Sequence, residues 1–468
     1  MGSTGHVRRT RRRSLHVLKA GTASGASARL LHRRKALSVP SAAVLVRLAL
    51  LCGLVAALAV PGIATASPSI RYGIQDDAWI ADGSGTFTQR LDRLKALGVQ
   101  IVRYNLRWDQ VAKRKPKSPT STTDRAYNWG PSDVFLKGLK AHGIAPLVTI
   151  YGTPTWANGG HTPSWAPKIG AMMAAFAHAA GKRYPWVKRW AIWNEPNQRR
   201  WLRPTSPAIY TVRLLNPAYA AIHAVHRGAQ VAGGVTAPRG NAGGVSPVDW
   251  IQGMKRAGAR LDAYAHNPYP LSPHTETPWS CGCGSCRTLT MATLPRLIGD
   301  VTRTFGPKRI WLTEYGYQTN PPDPYIGVSD ALQAEYMSGA ALRAYLAPRV
   351  DVLIHFLVRD EPSLAGWQSG VLNVRGVAKP SYRAFQLPLA QESRSGSRTL
   401  LWGQVRPGHG RRAYRLQKLV NGRWASYGGT ARTSAGGFFT RNVLGGAHDR
   451  FRLWAPSLQV FGPPLVLR

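Results

Sequence analysis

Acidic residues are scarce in this chain. Asp and Glu together number 21 against 62 Lys and Arg, which gives a formal net charge of +41 at pH 7 over 468 residues. A surface this basic either attracts an anionic partner, such as a cell-wall polymer or an acidic glycan, or is simply solvated. Because the charge is spread along the chain, the sequence favours the solvated surface and keeps the anionic polymer as an alternative partner.

Cysteine is also rare, with four residues in the whole chain. Cys52 lies in the N-terminal segment, and Cys281, Cys283 and Cys286 form a C-G-C-G-S-C run. In an exported protein, three neighbouring thiols indicate one local disulfide with one thiol left over. Unpaired thiols and a zinc knuckle that recruits His274 are the alternatives.

The N-terminal segment lacks both acidic residues and a full-length apolar span. Residues 1–66 carry eleven Lys or Arg, then an apolar run from Leu48 to Val60 and an A-x-A sequence ending at Ala66. This order predicts a secretory signal peptide with a long basic n-region, and therefore a secreted, extracellular protein. The apolar run is short for a membrane span, so an N-terminal membrane anchor is the alternative. The position of the basic tract before the apolar run argues for export and against a nucleic-acid partner.

From residue 67 to 390 the chain alternates apolar strands with helical segments, as parallel β/α units do. One helix is clearly delimited, because Thr86 can cap its start and Gly98 can end it. Eight such units predict an α/β fold, a (β/α)8 TIM barrel, with its site at the carboxyl ends of the strands. The eight candidate strands are Ile70–Gln75, Gln100–Asn105, Ala145–Tyr151, Lys188–Trp193, Gln230–Val235, Leu261–His266, Arg309–Thr313 and Val352–Leu357.

The last part of the chain differs in pattern. Residues 391–398 are polar and Ser-rich, which is typical of a linker. Residues 399–468 contain short alternating segments separated by turn residues such as Asn421-Gly422. This pattern predicts a small antiparallel, Ig-like β-sandwich, whose role could be carbohydrate binding, wall binding or spacing.

Two of the predicted barrel strands end in a glutamate. The fourth runs into Asn194-Glu195-Pro196, and the seventh into Thr313-Glu314-Tyr315-Gly316. Pro196 cannot donate to a sheet ladder, so it places Glu195 at the tip of its strand. Two carboxyl groups at the tips of two buried strands are what cleavage of a glycosidic bond requires.

These two motifs resemble those of the glycoside hydrolases of clan A, the retaining barrel enzymes that include the cellulase-like family five and the xylosidase-like family thirty-nine. The resemblance covers roughly residues 69–390. It implies that Glu195 is the acid/base and Glu314 the nucleophile of a two-step displacement at a β-glycosidic bond. It also implies that Arg103 steadies the nucleophile and that Asn194 holds the sugar 2-hydroxyl.

Other candidate substrate-binding residues follow the same strands. His266 and Tyr269 lie in H-N-P-Y, where the resembled families have a shorter motif, so the sequence leaves open which of the two reaches the sugar. Trp156, Tyr317 and Trp367 are candidate aromatic contacts for the sugar. Two acidic pairs on the loops after strands one and eight are either sugar-hydroxyl acceptors or loop caps: Asp76-Asp77 and Asp360-Glu361.

The sequence therefore predicts a monomeric, secreted O-glycoside hydrolase acting on an oligo- or polysaccharide, without a metal or organic cofactor. A catalytically silent, surface-attached barrel that only binds glycans is the alternative, and loss of either glutamate would have favoured it. A metal-dependent hydrolase would need clusters of His and Asp at several strand tips, and the sequence shows none.

Overall fold

The computed structural model describes residues 66–282 and 287–468. The predicted signal peptide, apart from Ala66, lies outside the described residues, as do Cys283 and Cys286. Among the described residues, no helix combines the length and apolarity that crossing a membrane requires.

Eight parallel strands form a closed barrel in chain order, with the first strand pairing with the eighth. The prediction of a (β/α)8 barrel is confirmed, and the strand ends differ from the predicted ones by only a few residues. The strands are β1 (Arg71–Gln75), β2 (Ile101–Arg107), β3 (Ala145–Tyr151), β4 (Arg189–Ile192), β5 (Gln230–Thr236), β6 (Ala263–His266), β7 (Arg309–Tyr315) and β8 (Val350–Phe356).

Helices surround the barrel and fill the loops after its strands. They are α1 (Asp77–Asp82), α2 (Phe87–Leu97), α3 (Trp108–Val111), α4 (Gly130–Ala141), α5 (Thr155–Asn158), α6 (Gly170–Arg183), α7 (Pro207–Tyr210), α8 (Asn216–Val225), α9 (Pro247–Arg256), α10 (Leu294–Phe305), α11 (Asp330–Leu346) and α12 (Pro380–Gln386). A π-helical turn, Thr211–Leu215, precedes α8, and a 3₁₀ turn, Met291–Thr293, precedes α10.

The ends of α2 follow from its sequence. The Thr86 side chain accepts from the backbone of Gln89, and the Gln89 side chain accepts from the backbone of Thr86. This capping box satisfies N–H groups that a helix start leaves unpaired. Gly98 then ends the helix in the left-handed conformation, with φ of 90°, where a side chain would be strained.

Alternation along the strands separates two cores. The barrel interior is filled by small and branched side chains around Trp311, while the opposite faces pack against the helices. Along β2, Ile101 belongs to the interior and Val102 to the outer core. Arg103 is the next interior position, and this places a fully buried cation inside the carboxyl end of the barrel.

The C-terminal residues form two antiparallel sheets, as a β-sandwich requires. One contains β9 (Leu389–Ser395), β10 (Arg398–Gln404) and β13 (Phe438–Leu444). The other contains β11 (Ala413–Val420), β12 (Arg423–Arg432), β14 (Arg450–Ala455), β15 (Val460–Phe461) and β16 (Leu465–Val466).

The segment predicted as a linker, residues 391–398, lies in a β-hairpin. Residues 391–395 belong to β9, Gly396 and Ser397 make the turn, and Arg398 begins β10. The serines are explained by exposure, because this end of the hairpin projects into solvent while Leu389 and Ala390 are buried. Polar composition thus marked an exposed hairpin, not a flexible connection.

Candidate active site

Glu195 lies just beyond the tip of β4 in an irregular backbone. The φ angles of Trp193 and Glu195 are 75° and 41°, in the left-handed region that residues other than glycine rarely adopt. Hydrogen bonds hold this shape, since the Glu195 N–H donates to the carbonyl of Val235 over 2.9 Å and the Trp193 N–H to that of Ile150 over 2.8 Å. Such strained positions persist where the surrounding structure fixes them, and they concentrate at functional sites.

Arg103 joins the tips of four strands. Its guanidinium forms an ion pair with Glu314 and donates over 2.8 Å each to the side chains of Asn194, Thr149 and Gln75. The guanidinium is fully buried and places its positive charge directly against the Glu314 carboxylate. Because the Asn194 oxygen accepts from Arg103, the amide nitrogen of that side chain points away from the guanidinium. Arg103 and Asn194 thus lie with Glu314, as the resemblance implied.

The second carboxyl group, Glu195, is half-buried and has the opposite electrostatic environment. Burial first, and then the charge of Glu314, raise its pKa to about 7. The Asn267 amide, the charge of Arg103 and the indole of Trp201 act in the other direction, because they favour the ionised form. Glu195 is therefore mostly protonated below about pH 7, whereas Glu314 faces a cation. Two carboxyl groups in such different environments can serve as proton donor and nucleophile.

Asn267 supplies a contact that the sequence did not predict. Its nitrogen donates to Oε1 of Glu195 over 3.1 Å, and its oxygen accepts from the Thr313 hydroxyl over 2.7 Å. The signal was present in the sequence, because Asn267 is the extra residue in the H-N-P-Y motif. His266 is not brought to the site: it is fully buried, and its ring nitrogens lie 2.8 Å from the Thr236 hydroxyl and the Leu289 carbonyl. Burial also lowers the His266 pKa to about 4.

Tyr269, from the same motif, does lie beside the glutamates. Burial, and then the negative charge of Glu314, raise the pKa of its hydroxyl well above the ordinary value. Its ring packs against Trp367, with centroids 5.1 Å apart, and Trp367 also meets Phe356 edge-on at 5.8 Å. Trp367 is 37% exposed. An exposed indole supported by the buried Tyr269 and the half-buried Phe356 is the kind of platform on which a sugar ring stacks, in agreement with the sequence interpretation.

Two predicted aromatic contacts lie elsewhere. Tyr317 is 3% exposed, packs against Tyr336 with centroids 4.6 Å apart, and donates to the Glu276 carbonyl over 2.7 Å. It therefore anchors the loop after β6 from within the outer core. Trp156 packs edge-on against Trp108 at 6.0 Å, and its indole N–H donates to the Ala112 carbonyl over 2.7 Å. Its place in α5 carries it away from the glutamates, because that helix turns outward after β3.

The two acidic residues after β1 have different roles: Asp76 caps a helix, and Asp77 is a candidate sugar-binding residue. Asp76 caps α1 through the Trp79 N–H and also accepts from the N–H groups of Val358 and Arg359, so it ties this loop to the one after β8. Asp77 is half-buried and accepts from the Asn105 amide over 2.6 Å. Burial raises the Asp77 pKa to about 7. A partly exposed carboxyl beside Arg103 and Asn105 can bind sugar hydroxyls.

The pair after β8 acts within its own loop. Asp360 is 2% exposed and forms an ion pair of 2.7 Å with Lys379, which is also buried. Glu361 accepts from the Trp367 backbone N–H over 2.7 Å. Of the two interpretations that the sequence left open, the structure gives loop capping, and the loop that is capped carries Trp367.

Near Glu195 lies a further group of residues that the sequence analysis missed: Tyr151, Trp201 and Arg107. Tyr151, at the end of β3, meets Trp193 and Trp201 edge-on at 6.3 and 6.1 Å. The Arg107 guanidinium lies 5.1 Å from the centre of the Tyr151 ring. The position of Arg107 and Tyr151 at the ends of β2 and β3 could have indicated these two residues, whereas Trp201 lies in the loop after β4, outside any recognisable motif.

No metal centre is evident among the described residues, where no three His, Cys, Asp or Glu side chains are grouped as ligands. Cys281 is half-buried and its backbone bridges to Glu276 in an antiparallel pairing. Because Cys283 and Cys286 lie outside the described residues, the disulfide and zinc interpretations of this cluster stay predictions.

No protein-family model matches the chain, and no curated protein matches it. Solved structures do resemble it. A family 39 glycoside hydrolase from the gut symbiont Bacteroides cellulosilyticus WH2 is similar with a TM-score of 0.55 and 18% identity, over 83% of this chain and 82% of that one. A glucosidase from Croceicoccus marinus gives 0.55 and 12%, over 82% and 94%. A GH39 enzyme from Xanthomonas axonopodis pv. citri gives 0.52 and 14%, over 83% and 94%. At these identities the likeness establishes that the chain has the fold of these enzymes.

Proposed function

We propose that this protein is a retaining O-glycoside hydrolase that cleaves β-glycosidic bonds. The observation that carries the proposal is the pairing of two glutamates in opposite environments. Glu314 makes an ion pair with the buried Arg103, whereas burial and the charge of Glu314 raise the pKa of Glu195 to about 7. One carboxylate is thus held ready to attack, and one carboxyl is held ready to give a proton.

The first step forms a bond between Glu314 and the anomeric carbon. As the glycosidic bond breaks, Glu195 donates its proton to the leaving oxygen, so the leaving group departs as an alcohol. The negative charge is then on Glu195 instead of Glu314, because Glu314 has become an ester and Glu195 a carboxylate. Removing the charge of Glu314 lowers the pKa of Glu195, which suits the proton loss that this step requires.

The second step reverses these roles. Glu195, now a carboxylate that accepts from Asn267, takes a proton from water, and the water oxygen attacks the anomeric carbon. The ester bond to Glu314 breaks, and its carboxylate returns to Arg103. Two inversions at one carbon give a product with the configuration of the substrate.

The surrounding residues support binding of a sugar at this place. The Asn194 amide nitrogen points away from Arg103 and is suited to hold the sugar 2-hydroxyl. Asp77 offers a second polar contact across the site, and Trp367 with Tyr269 provides an aromatic surface. We also propose secretion after cleavage near Ser67 and action as a monomer, on the basis of the leader sequence and the single-chain site.

The test is a panel of nitrophenyl glycosides and neutral and acidic polysaccharides, incubated with the wild-type protein and with Glu314→Ala. The proposal expects hydrolysis of at least one β-configured substrate and its loss in the variant. Proton NMR at early times should show the β-anomer first. Initial release of the α-anomer, or glycan binding without turnover by the wild type, would overturn the proposal in favour of an inverting or a binding-only barrel.

A further inference from the structure

The loop that follows α3 concentrates positive charge on the face of the barrel that carries Glu195 and Glu314. We call residues 113–126 the cationic loop. Its single carboxylate, Asp124, accepts from the backbone N–H groups of Ser118 and Ala126 over 2.6 and 2.9 Å and so serves to fold the loop. Five exposed cations remain, and none forms an ion pair with a described carboxylate: Lys113, Arg114, Lys115, Lys117 and Arg125.

The cationic loop is held in a defined shape. The Tyr127 hydroxyl donates to the Pro119 carbonyl over 2.5 Å, and the Trp129 indole N–H donates to the Thr122 carbonyl over 3.1 Å. Both rings pack on Phe176 of α6. The loop folds around an open cleft whose lining has four cations and several hydroxyl groups against the single carboxylate of Asp124. A preformed cleft of this kind binds a charged ligand without first having to be ordered.

An aromatic pocket adjoins this cleft. It is open to solvent, Lys115 lines both spaces, and its wall includes Trp108, Trp156 and Met172. Trp108 is fully buried, so the surface that a ligand can reach is formed by the half-buried Trp156 and Met172 beside the exposed Lys115. Aromatic walls beside a cation suit a sugar ring that bears an acidic group.

A row of side chains leads from Glu195 to the end of β2, the strand that precedes α3 and the cationic loop. Trp201 neighbours Glu195, Tyr151 meets Trp201 at 6.1 Å, and Arg107 lies over Tyr151. Arg107 ends β2, and the chain runs from there through α3 into the cationic loop. The cationic loop therefore belongs to the β2–α4 connection, at the carboxyl end of the barrel where the glutamates lie.

We infer that the cationic loop and the adjoining aromatic pocket bind an acidic segment of a polysaccharide substrate, a glycan that carries carboxylate or sulfate groups. The inference rests on the proposed function and narrows its substrate class. Opposite charges attract over about 8–10 Å at physiological salt, so the loop also draws such a chain toward the site. Positive charge is spread along the chain, and K-R-K-P-K at residues 113–117 is a local cluster of it on the face that carries the glutamates.

The test compares three variants. In the loop variant, Lys113, Arg114, Lys115 and Lys117 are all changed to glutamine. The control variant loses the same charge at the opposite face, where Lys182, Arg227, Lys255 and Arg256 lie exposed at helix ends and are changed to glutamine. A swap variant exchanges lysine and arginine at the four loop positions and so keeps the charge. The probes are carboxymethyl cellulose and hydroxyethyl cellulose, which share a backbone and differ in charge, and a DNA duplex.

The measurement is the dissociation constant for each probe at physiological salt. Wild type should bind carboxymethyl cellulose more tightly than hydroxyethyl cellulose. The loop variant should bind the charged polymer about tenfold more weakly, as expected for four surface charge contacts. The control and swap variants should retain the wild-type value. Because binding is measured, a protein without hydrolase activity would give the same result, so this test is independent of the proposed chemistry.

Several outcomes would overturn the inference. An equal loss in the loop and control variants would mean that only net charge matters. A loss in the swap variant would mean that the substitutions disturb the loop itself. A loss confined to the DNA duplex would identify the loop as a nucleic-acid site, and equal binding of both celluloses by the wild type would show no preference for acid groups.

Discussion

Asn267 donates to Glu195 over 3.1 Å while accepting from the hydroxyl of Thr313, the residue before Glu314. The amide oxygen of Asn267 faces the Thr313 hydroxyl, which donates to it over 2.7 Å. The nitrogen is then directed at the carboxyl group. Asn267, just after β6, is thus positioned by a residue of β7 and in turn affects the protonation of Glu195 beyond the tip of β4.

Changing Asn267 to alanine should move the alkaline limb of kcat/KM to higher pH. Glu195 must be protonated to act as the acid, and its protonated fraction falls as pH rises through about 7. Asn267 favours the ionised form, so its loss raises the pKa further. A pH–rate profile on the best aryl glycoside checks this. Asn158→Ala, which removes a buried amide that bonds loop carbonyls instead, should leave the limb in place.

Changing Glu314 to glutamine should lower the pKa of Glu195, the opposite of the effect expected for Asn267→Ala. The charge of Glu314 is, after burial, the largest contribution that raises the Glu195 pKa. Its removal should lower that pKa. Since the variant lacks the nucleophile, titration is followed by carbon NMR of labelled glutamate side chains. A Glu195 signal that titrates at the wild-type pH or above would contradict the electrostatic account.

Arg103→Ala should abolish activity and lower stability together. The variant leaves Glu314 without its cation in a buried setting, a change that typically costs about 3–5 kcal/mol. Arg90 provides the matched control, because it is also buried, yet it donates to the backbone carbonyls of Ile80 and Gly83 and not to a carboxylate. Arg90→Ala should lower the free energy of unfolding by about 1–3 kcal/mol and leave kcat/KM unchanged. Similar activity losses in the two variants would indicate that Arg103 acts through stability alone.

Trp367→Ala should raise KM with a smaller effect on kcat. The indole packs on Tyr269 and is exposed toward the site, so it contributes binding that is shared by substrate and transition state. Trp454→Ala in β14, where the ring stacks on Phe461, should leave both constants unchanged. The measurement is steady-state kinetics on an oligosaccharide, and a fall in kcat at constant KM would refute the platform role.

The barrel and the two glutamates could be predicted from the sequence because each is recorded in local patterns. Buried parallel strands are continuously apolar, so β3 was predicted with its observed ends. Pro196 marks the end of β4, and the Thr86 cap and Gly98 mark the ends of α2. Arg103 followed from alternation with Val102. These features depend on residues within a few positions of each other along the chain.

The rest of the site depends on distances that local patterns do not record. His266 and Tyr269 are three residues apart, yet one faces Thr236 and Leu289 while the other faces Glu314. The motif alone could not separate them, because the turn through Asn267 and Pro268 decides their directions. Trp201 and Tyr151 meet only because the loop after β4 folds back over β3. The exposed hairpin at 391–398 was read as a linker because polar composition accompanies any exposed segment.

The measurement that tests the central claim most directly is the product that azide gives with each glutamate variant. With Glu195→Ala and an activated aryl glycoside, Glu314 still forms the ester, and azide in the vacated space should give a glycosyl azide of retained configuration. With Glu314→Ala, azide should attack the substrate itself and give the inverted product. Proton NMR of the two azides distinguishes the outcomes. Retained product from Glu314→Ala together with inverted product from Glu195→Ala would show that the roles assigned here are reversed.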